Sequence, residues 1–284
     1  MAKMESFMFM AALISLGIAT VFYSWHFIRI RKLAKVISGG SAEAQVEGIW
    51  QPGKFATIMA INGLIFLTLS MLFRTIVTGH GPFTNMFEFS QAFTWGIVGS
   101  LLYFQHRYRF KAMGTIVVPV AFLMLLYAYT LPTRALPLVP ALQQSLLLTI
   151  HVAVAIIAYG TSVAGFGAAG FFLLQRRRRI AWLPSPRVLD DLGYRSVIIG
   201  FPFMTLTIVL GALWANIAWG RYWGWDPKET ASLVTWLIYG GYLHARMVAG
   251  WRGSRSAALL LLGFIAVLFT FFGNYFLGGL HSYK

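Results

Sequence analysis

Residues 196–246 read SVIIGFPFMTLTIVLGALWANIAWGRYWGWDPKETASLVTWLIYGGYLHAR. Two apolar runs, at about 196–218 and 229–248, approach the ~20 residues that a helix needs to cross a bilayer. Between them, Trp219, Tyr222, Trp223 and Trp225 crowd into one short connection broken by Gly220 and Gly224. Such spacing makes a compact shelf of flat rings rather than a spanning helix, and glycine there lets backbone approach a flat ligand closely. Asp226-Pro227-Lys228-Glu229 then reads as a helix start, with Asp at the N-cap, Pro at the first position and Glu three residues on.

Working outward, six further apolar runs lie at about 7–28, 55–77, 89–105, 113–130, 146–175 and 256–277. Hydrophobic residues make up 58% of the 284 positions and charged residues 11%, with a mean hydropathy of +0.70. A soluble domain carries roughly a quarter charged residues, so the solvent of this chain is lipid. The expected fold is an all-α polytopic membrane protein of about eight helices. Residues 1–284 form a single unit in this reading, with a platform loop at 219–229.

The net charge of +15 follows the membrane rather than a nucleic acid. Arg29, Arg31, Lys32, Lys35 and Lys54 share one set of alternate connections with Arg107, Arg109 and Lys111, the 176–195 arginines, and Arg246, Arg252 and Arg255. The other set carries only Lys3, Arg74, Arg134, Arg221, Lys228 and Lys284. The positive-inside rule then places both termini, and the 219–229 loop, on the non-cytoplasmic side. No small-x-small cleavage pattern follows the first run cleanly, so it reads as a retained span. With no cysteine, the chain has no disulfide, thiolate metal site or dithiol of its own.

Under this topology His151, at the start of the fifth run, and His281, after the eighth, lie on the same side as the aromatic shelf. His80, in Gly79-His80-Gly81-Pro82, is there too. His244 lies near the opposite end of the seventh run and His26 near the opposite end of the first, while His106 opens a basic connection. A lone interfacial histidine is usually a hydrogen-bonding group, and aromatic residues commonly form interfacial belts. An ionisable group inside a span is costlier and marks a cavity or a partner, which singles out His244. Asp226 has a purely structural reading as a helix cap, worth about 1 kcal/mol. A proton-coupled transporter would show acidic pairs within spans. The sequence shows none, with Glu88 and Glu229 at span ends.

The run from Trp219 to Arg246 is similar to the tryptophan-rich "WWD" signature of haem-handling proteins. It resembles in particular the CcsA (ResC) family of system II cytochrome c biogenesis, through WDPKET, the following LVTWLIY and LHAR. The eight-span layout, the Gly79-His80-Gly81-Pro82, Asn85-Met86 and Glu88-Phe89 segments and the flanking histidines extend the resemblance over most of the chain. Tyr222 departs from it, standing where related motifs often carry Trp. The resemblance implies carriage of haem b as transported substrate and its covalent attachment to apocytochrome c at a CxxCH motif. The chain would be the haem-presenting subunit of a thioether-forming lyase. It implies His151 and His281 as axial ligands, Trp219, Tyr222, Trp223, Trp225 and Asp226 as the haem platform, and His244 as a membrane-embedded ligand, with His80 and His26 as further candidates. No catalytic acid or base is assigned. The implied partners are a CcsB (ResB)-type membrane protein and a thiol-reducing protein; the implied host is a bacterial cytoplasmic or a thylakoid membrane, the loop facing the periplasm, exterior or lumen. The alternative within the superfamily is a CcmC-type haem exporter without ligation activity.

Overall fold

The computed structural model describes residues 1–36, 52–134, 145–178, 180, 182–277 and 279. Among them are eight α-helices: α1 (Ala2–Val36), α2 (Pro52–Thr78), α3 (Met86–Tyr108), α4 (Gly114–Tyr129), α5 (Ser145–Arg178), α6 (Pro186–Trp219), α7 (Pro227–Met247) and α8 (Ser254–Leu277). A 3₁₀ turn, Lys111–Met113, leads into α4. All eight apolar runs of the sequence fall on these helices. Six helices (α1, α2, α4, α5, α6 and α8) are long and apolar enough to cross a membrane. The chain is an integral membrane protein. Ile65, Leu72, Leu123, Leu206, Ile265 and Phe269 stay exposed, as side chains facing lipid do.

Consecutive helices run antiparallel, and helices meet through small residues. On α1 and α2, Leu16 faces Gly63 and His26 faces Gly53. On α5 and α6, Thr161 faces Gly200 and His151 faces Gly211. Helix α3 touches α5 backbone to backbone, because a Cβ on Gly96 would come 2.6 Å from the Ile156 carbonyl oxygen. Lipid tails are as apolar as leucine, so close packing of this kind is what holds membrane helices together. Helix α1 packs on α2 and α4, α3 on α4 and α5, α5 on α6 and α8, and α7 on α8 and α6. The starts of α3, α5 and α7 and the ends of α2, α6 and α8 gather at one end of the bundle, here called the platform end.

The structure corrects one element of the sequence reading. Helix α1 begins at Ala2, well before its apolar run, and carries Glu5 inward. Glu5 and Glu88 form a buried acidic pair across Arg74, whose guanidinium donates to Glu5 Oε1 at 3.3 Å and Glu88 Oε1 at 2.7 Å. The three are 5%, 1% and 3% exposed, so each charge depends on the others. Arg74 also donates to the Thr133 carbonyl at 2.7 Å. The cation balances the pair, so this arrangement locks α1, α2 and α3 together rather than offering an open proton relay. Near the basic end, Arg246 of α7 pairs with Asp190 of α6 at 2.7 Å and lies 4.5 Å over the Tyr194 ring.

Candidate functional site

Helix α6 ends at Trp219 because Gly220 adopts a left-handed conformation (φ 74°) and its N–H caps the Asn216 carbonyl. The chain then crosses the bundle end and re-enters as α7 at Asp226. Asp226 Oδ1 accepts from the Lys228 N–H at 2.9 Å, while Glu229 Oε2 accepts from the Asp226 and Gly224 N–H groups at 3.1 and 2.8 Å. This is the capping box that the sequence predicts, and it ties the aromatic connection to α7. Trp225 is held at φ 55°, a conformation that costs a residue with a side chain about 1–3 kcal/mol. The strain lies beside the rings and is sustained by the cap that follows.

The aromatic residues do not form one continuous shelf. Trp223 and Trp225 meet edge to face at 5.7 Å, and Trp219 meets Trp214 edge to face at 4.8 Å. Tyr222 and Trp223 line a cavity; Trp225 is 69% exposed and braces Trp223 from outside, and Trp219 braces Trp214, which lines the same cavity. Gly220 and Gly224, placed between the rings, allow this division.

The cavity lies at the platform end among α3, α5, α6, α7 and α8, with free space of about 1350 Å³ counted out to its open mouth. Its deeper wall is apolar, with Phe93, Leu148, Val152, Ile156 and Phe271. His151 of α5 lines it beside Tyr222 and Trp223. Gly211 of α6 makes room for the imidazole, since a Cβ there would lie 2.9 Å from His151 Cε1 and 3.3 Å from Nδ1. Thr84, Asn85 and Met86 form a further part of the lining. Glu88 secures that part: its Oε2 accepts from the Thr84 N–H and hydroxyl at 2.8 and 2.9 Å, and its Oε1 accepts from Asn85 Nδ2 at 3.1 Å. Lys228, Glu229 and Ser232 complete the polar side.

The remaining expected ligands are distributed as follows. His281 lies outside the described residues. Gly279, two positions earlier, is packed so closely on the start of α7 that a Cβ would run into Asp226 Oδ2 and Pro227. His80 sits at the platform end in a turn that packs on the start of α5, where a Cβ on Gly81 would come 2.7 Å from Thr149 Oγ1; the His80 Nδ1 contacts the Gly81 carbonyl at 2.9 Å. His244 is exposed, on a stripe of α7 with Val234, Leu237, Gly241 and Val248. His26 is buried (4% exposed) against Gly53, on a helix that packs with α2 and α4. The structure thus places His151 in the cavity that Tyr222 and Trp223 also line, and leaves His244 and His26 on helices with different packing partners. Among the described residues no three His, Cys, Asp or Glu converge as a metal-ion cluster; those lining the cavity offer the imidazole of His151 beside aromatic faces, with Lys228 and Glu229 on the polar side. Gly211 and the Glu88-secured rim escape a sequence reading: each acquires meaning only from what packs against it.

The chain matches the family model described as cytochrome C assembly protein over residues 83–281. It is 35% identical over 267 residues to the cytochrome c biogenesis protein CcsA of Guillardia theta, covering 84% of this chain and 87% of that protein. It is 36% identical to the protein of that name from Trieres chinensis (82% and 86% covered) and 38% identical to that of Chlamydomonas reinhardtii (80% and 67% covered). Among solved structures, the cytochrome c heme lyase CcmF superposes with a TM-score of 0.63 at 18% identity, over 93% of this chain and 46% of that one. The last likeness is one of fold; the family model and the relatives above show that the chain belongs to the cytochrome c assembly protein family.

Proposed function

We propose that this chain carries haem b to the platform-end cavity and presents it there for covalent attachment to apocytochrome c. The observation that carries this reading is that His151, Tyr222 and Trp223 line one largely apolar, open-mouthed cavity. Imidazole is a good axial ligand for haem iron, and the rings supply flat apolar faces. His281 is the proposed second axial ligand; Gly279, two residues before it, packs on the start of α7 at Asp226. Attachment joins each CxxCH thiol across a haem vinyl group, sulfur to one carbon and hydrogen to the other, with nothing released. The share of this chain is to hold the ring and its iron while the thiols approach, and positioning of this kind accelerates a bimolecular step strongly.

His244 is the proposed ligand for haem on its way in. It lies fifteen residues beyond Glu229, which lines the cavity, or about 22 Å at ~1.5 Å per residue. One haem cannot reach both, so two positions are needed. Its exposed face on α7 suits a site completed by a CcsB (ResB)-type partner. The charge distribution between connections supports an orientation with the cavity on the non-cytoplasmic side of a bacterial cytoplasmic or thylakoid membrane. The thiols must arrive reduced, which calls for a thiol-reducing protein.

The test is the absorption spectrum of the purified protein, with and without the partner, in wild type, His151→Ala and His244→Ala. Wild type is expected to show a bis-imidazole haem. His151→Ala is expected to lose cytochrome c maturation, to regain part of it with added imidazole, and to keep haem at the inner position. His244→Ala is expected to starve the cavity of haem. Normal maturation and spectrum in His151→Ala would overturn the assignment of the cavity.

A further inference from the structure

Lys228 is the sole Lys or Arg among the residues lining the cavity. Its ammonium lies 4.9 Å over the ring of Phe89, another lining residue, and it makes no ion pair among the described residues. The two carboxylates nearest in sequence both serve backbone N–H groups, and Asp226 acts on the ammonium only as a nearby charge. Asp226 Oδ1 takes the backbone N–H of Lys228 itself, and Glu229 Oε2 takes those of Gly224 and Asp226. A half-buried ammonium facing a largely apolar cavity is costly unless the occupant brings an anion. A face-on aromatic contact compensates only in part.

We propose that Lys228 anchors a carboxylate of the ligand that fills the cavity. The inference rests on the haem reading above, under which that carboxylate is a haem propionate. The propionates leave one edge of the porphyrin and the vinyl groups the opposite edge. Anchoring the acid edge at Lys228, beside the polar rim formed by Asn85 and Ser232, therefore turns the vinyl edge away from the start of α7. Lys228 acts as an orienting residue: it decides which edge meets the incoming thiols, while His151 decides where the iron sits.

The experiment titrates purified wild type, Lys228→Gln and Lys228→Arg with haem and with haem dimethyl ester, which lacks both acids, following the Soret band. A charge-assisted contact in a sheltered site corresponds to a preference of about tenfold or more. Wild type is expected to bind haem at least about tenfold more tightly than the diester. Lys228→Gln is expected to bring haem down to the diester's affinity while leaving the diester unchanged, and Lys228→Arg to keep the preference. Equal discrimination in Lys228→Gln and wild type would overturn the proposal while sparing the haem site. So would an equal loss of both ligands in Lys228→Gln, which marks a damaged cavity rather than a lost anchor. Failure of wild type to bind either ligand would remove the haem reading itself, and this inference with it.

Discussion

Gly211→Ala separates the position of His151 from the stability of the helix that sets it. Alanine is about 1 kcal/mol better than glycine in a helix interior, so α6 has no reason to weaken. The new Cβ would stand 2.9 Å from His151 Cε1 and 3.3 Å from Nδ1, whereas carbon atoms settle at about 3.5–4.0 Å. The imidazole, on two rotatable bonds, yields more easily than backbone, and it must withdraw by about 0.6 Å. A misplacement of ~1 Å costs on the order of a hundredfold in a positioned reaction. A shift of half that corresponds to about tenfold, which should appear in both haem affinity and maturation. Gly99 supplies the control, since nothing lies within 4 Å of a Cβ there and Gly99→Ala brings the same helix preference without the collision. The assay is haem content per protein, the Soret position and thermal unfolding in detergent for wild type and both variants. Gly211→Ala is expected to lose haem at unchanged or raised Tm, and Gly99→Ala to keep both. A Gly211→Ala protein with wild-type haem and spectrum would refute the placement of His151 at the iron.

Three further outcomes are expected. Asp226→Ala should cost about 1 kcal/mol of stability through the lost cap, while Asp226→Asn, which caps equally well, should unfold as wild type does in a thermal melt. Trp223→Ala should lower bound haem, measured per protein, more than Trp225→Ala, because Trp223 lines the cavity and Trp225 only braces it from the exposed side. Arg74→Met should destabilise by about 3–5 kcal/mol, since it leaves two buried carboxylates without their cation; normal yield and Tm of the purified variant would show that the triad does not hold α1, α2 and α3 together.

Much of this architecture is legible in the sequence because two of its signals are local. Apolar runs near the bilayer length mark the eight helices, and the order Asp226, Pro227, Glu229 marks the start of α7 without reference to any neighbour. The unread parts depend on distant contacts. Glu5 lies ahead of the first apolar run, and only the continuation of α1 back to Ala2 brings it to Arg74, 69 positions away, and so to Glu88. His26 and His244 are both histidines near the basic ends of their helices, yet one is packed on a glycine and the other faces outward. No local pattern separates them, because helix rotation is set by the partners on each side. The aromatic cluster shows the same limit: its composition announces a ring-rich site, but which rings face inward is decided by the φ of Gly220 and Trp225 and by the cap at Asp226.

The two helices that fall outside the six apolar spans, α3 and α7, are the two whose starts border the cavity with a polar rim. Each uses the same device. The residue at the third helical position is a glutamate, and it turns back to hold the connection that precedes it: Glu88 takes the Thr84 N–H and hydroxyl, and Glu229 takes the N–H groups of Gly224 and Asp226. In a membrane protein, backbone N–H groups beside an apolar cavity have little water to satisfy them, and each left unpaired is costly. The glutamates meet that need, and both connections are thereby fixed to helix starts that line the cavity, one presenting Thr84 and Asn85 and the other Tyr222 and Trp223. Part of the polarity of α3 and α7 is thus tied to the site: Glu88 and Glu229 hold the rim, while Gln105 and Arg246 serve contacts with other helices. The remaining helices need no such polar starts at the cavity, and supply the apolar wall and the imidazole of His151.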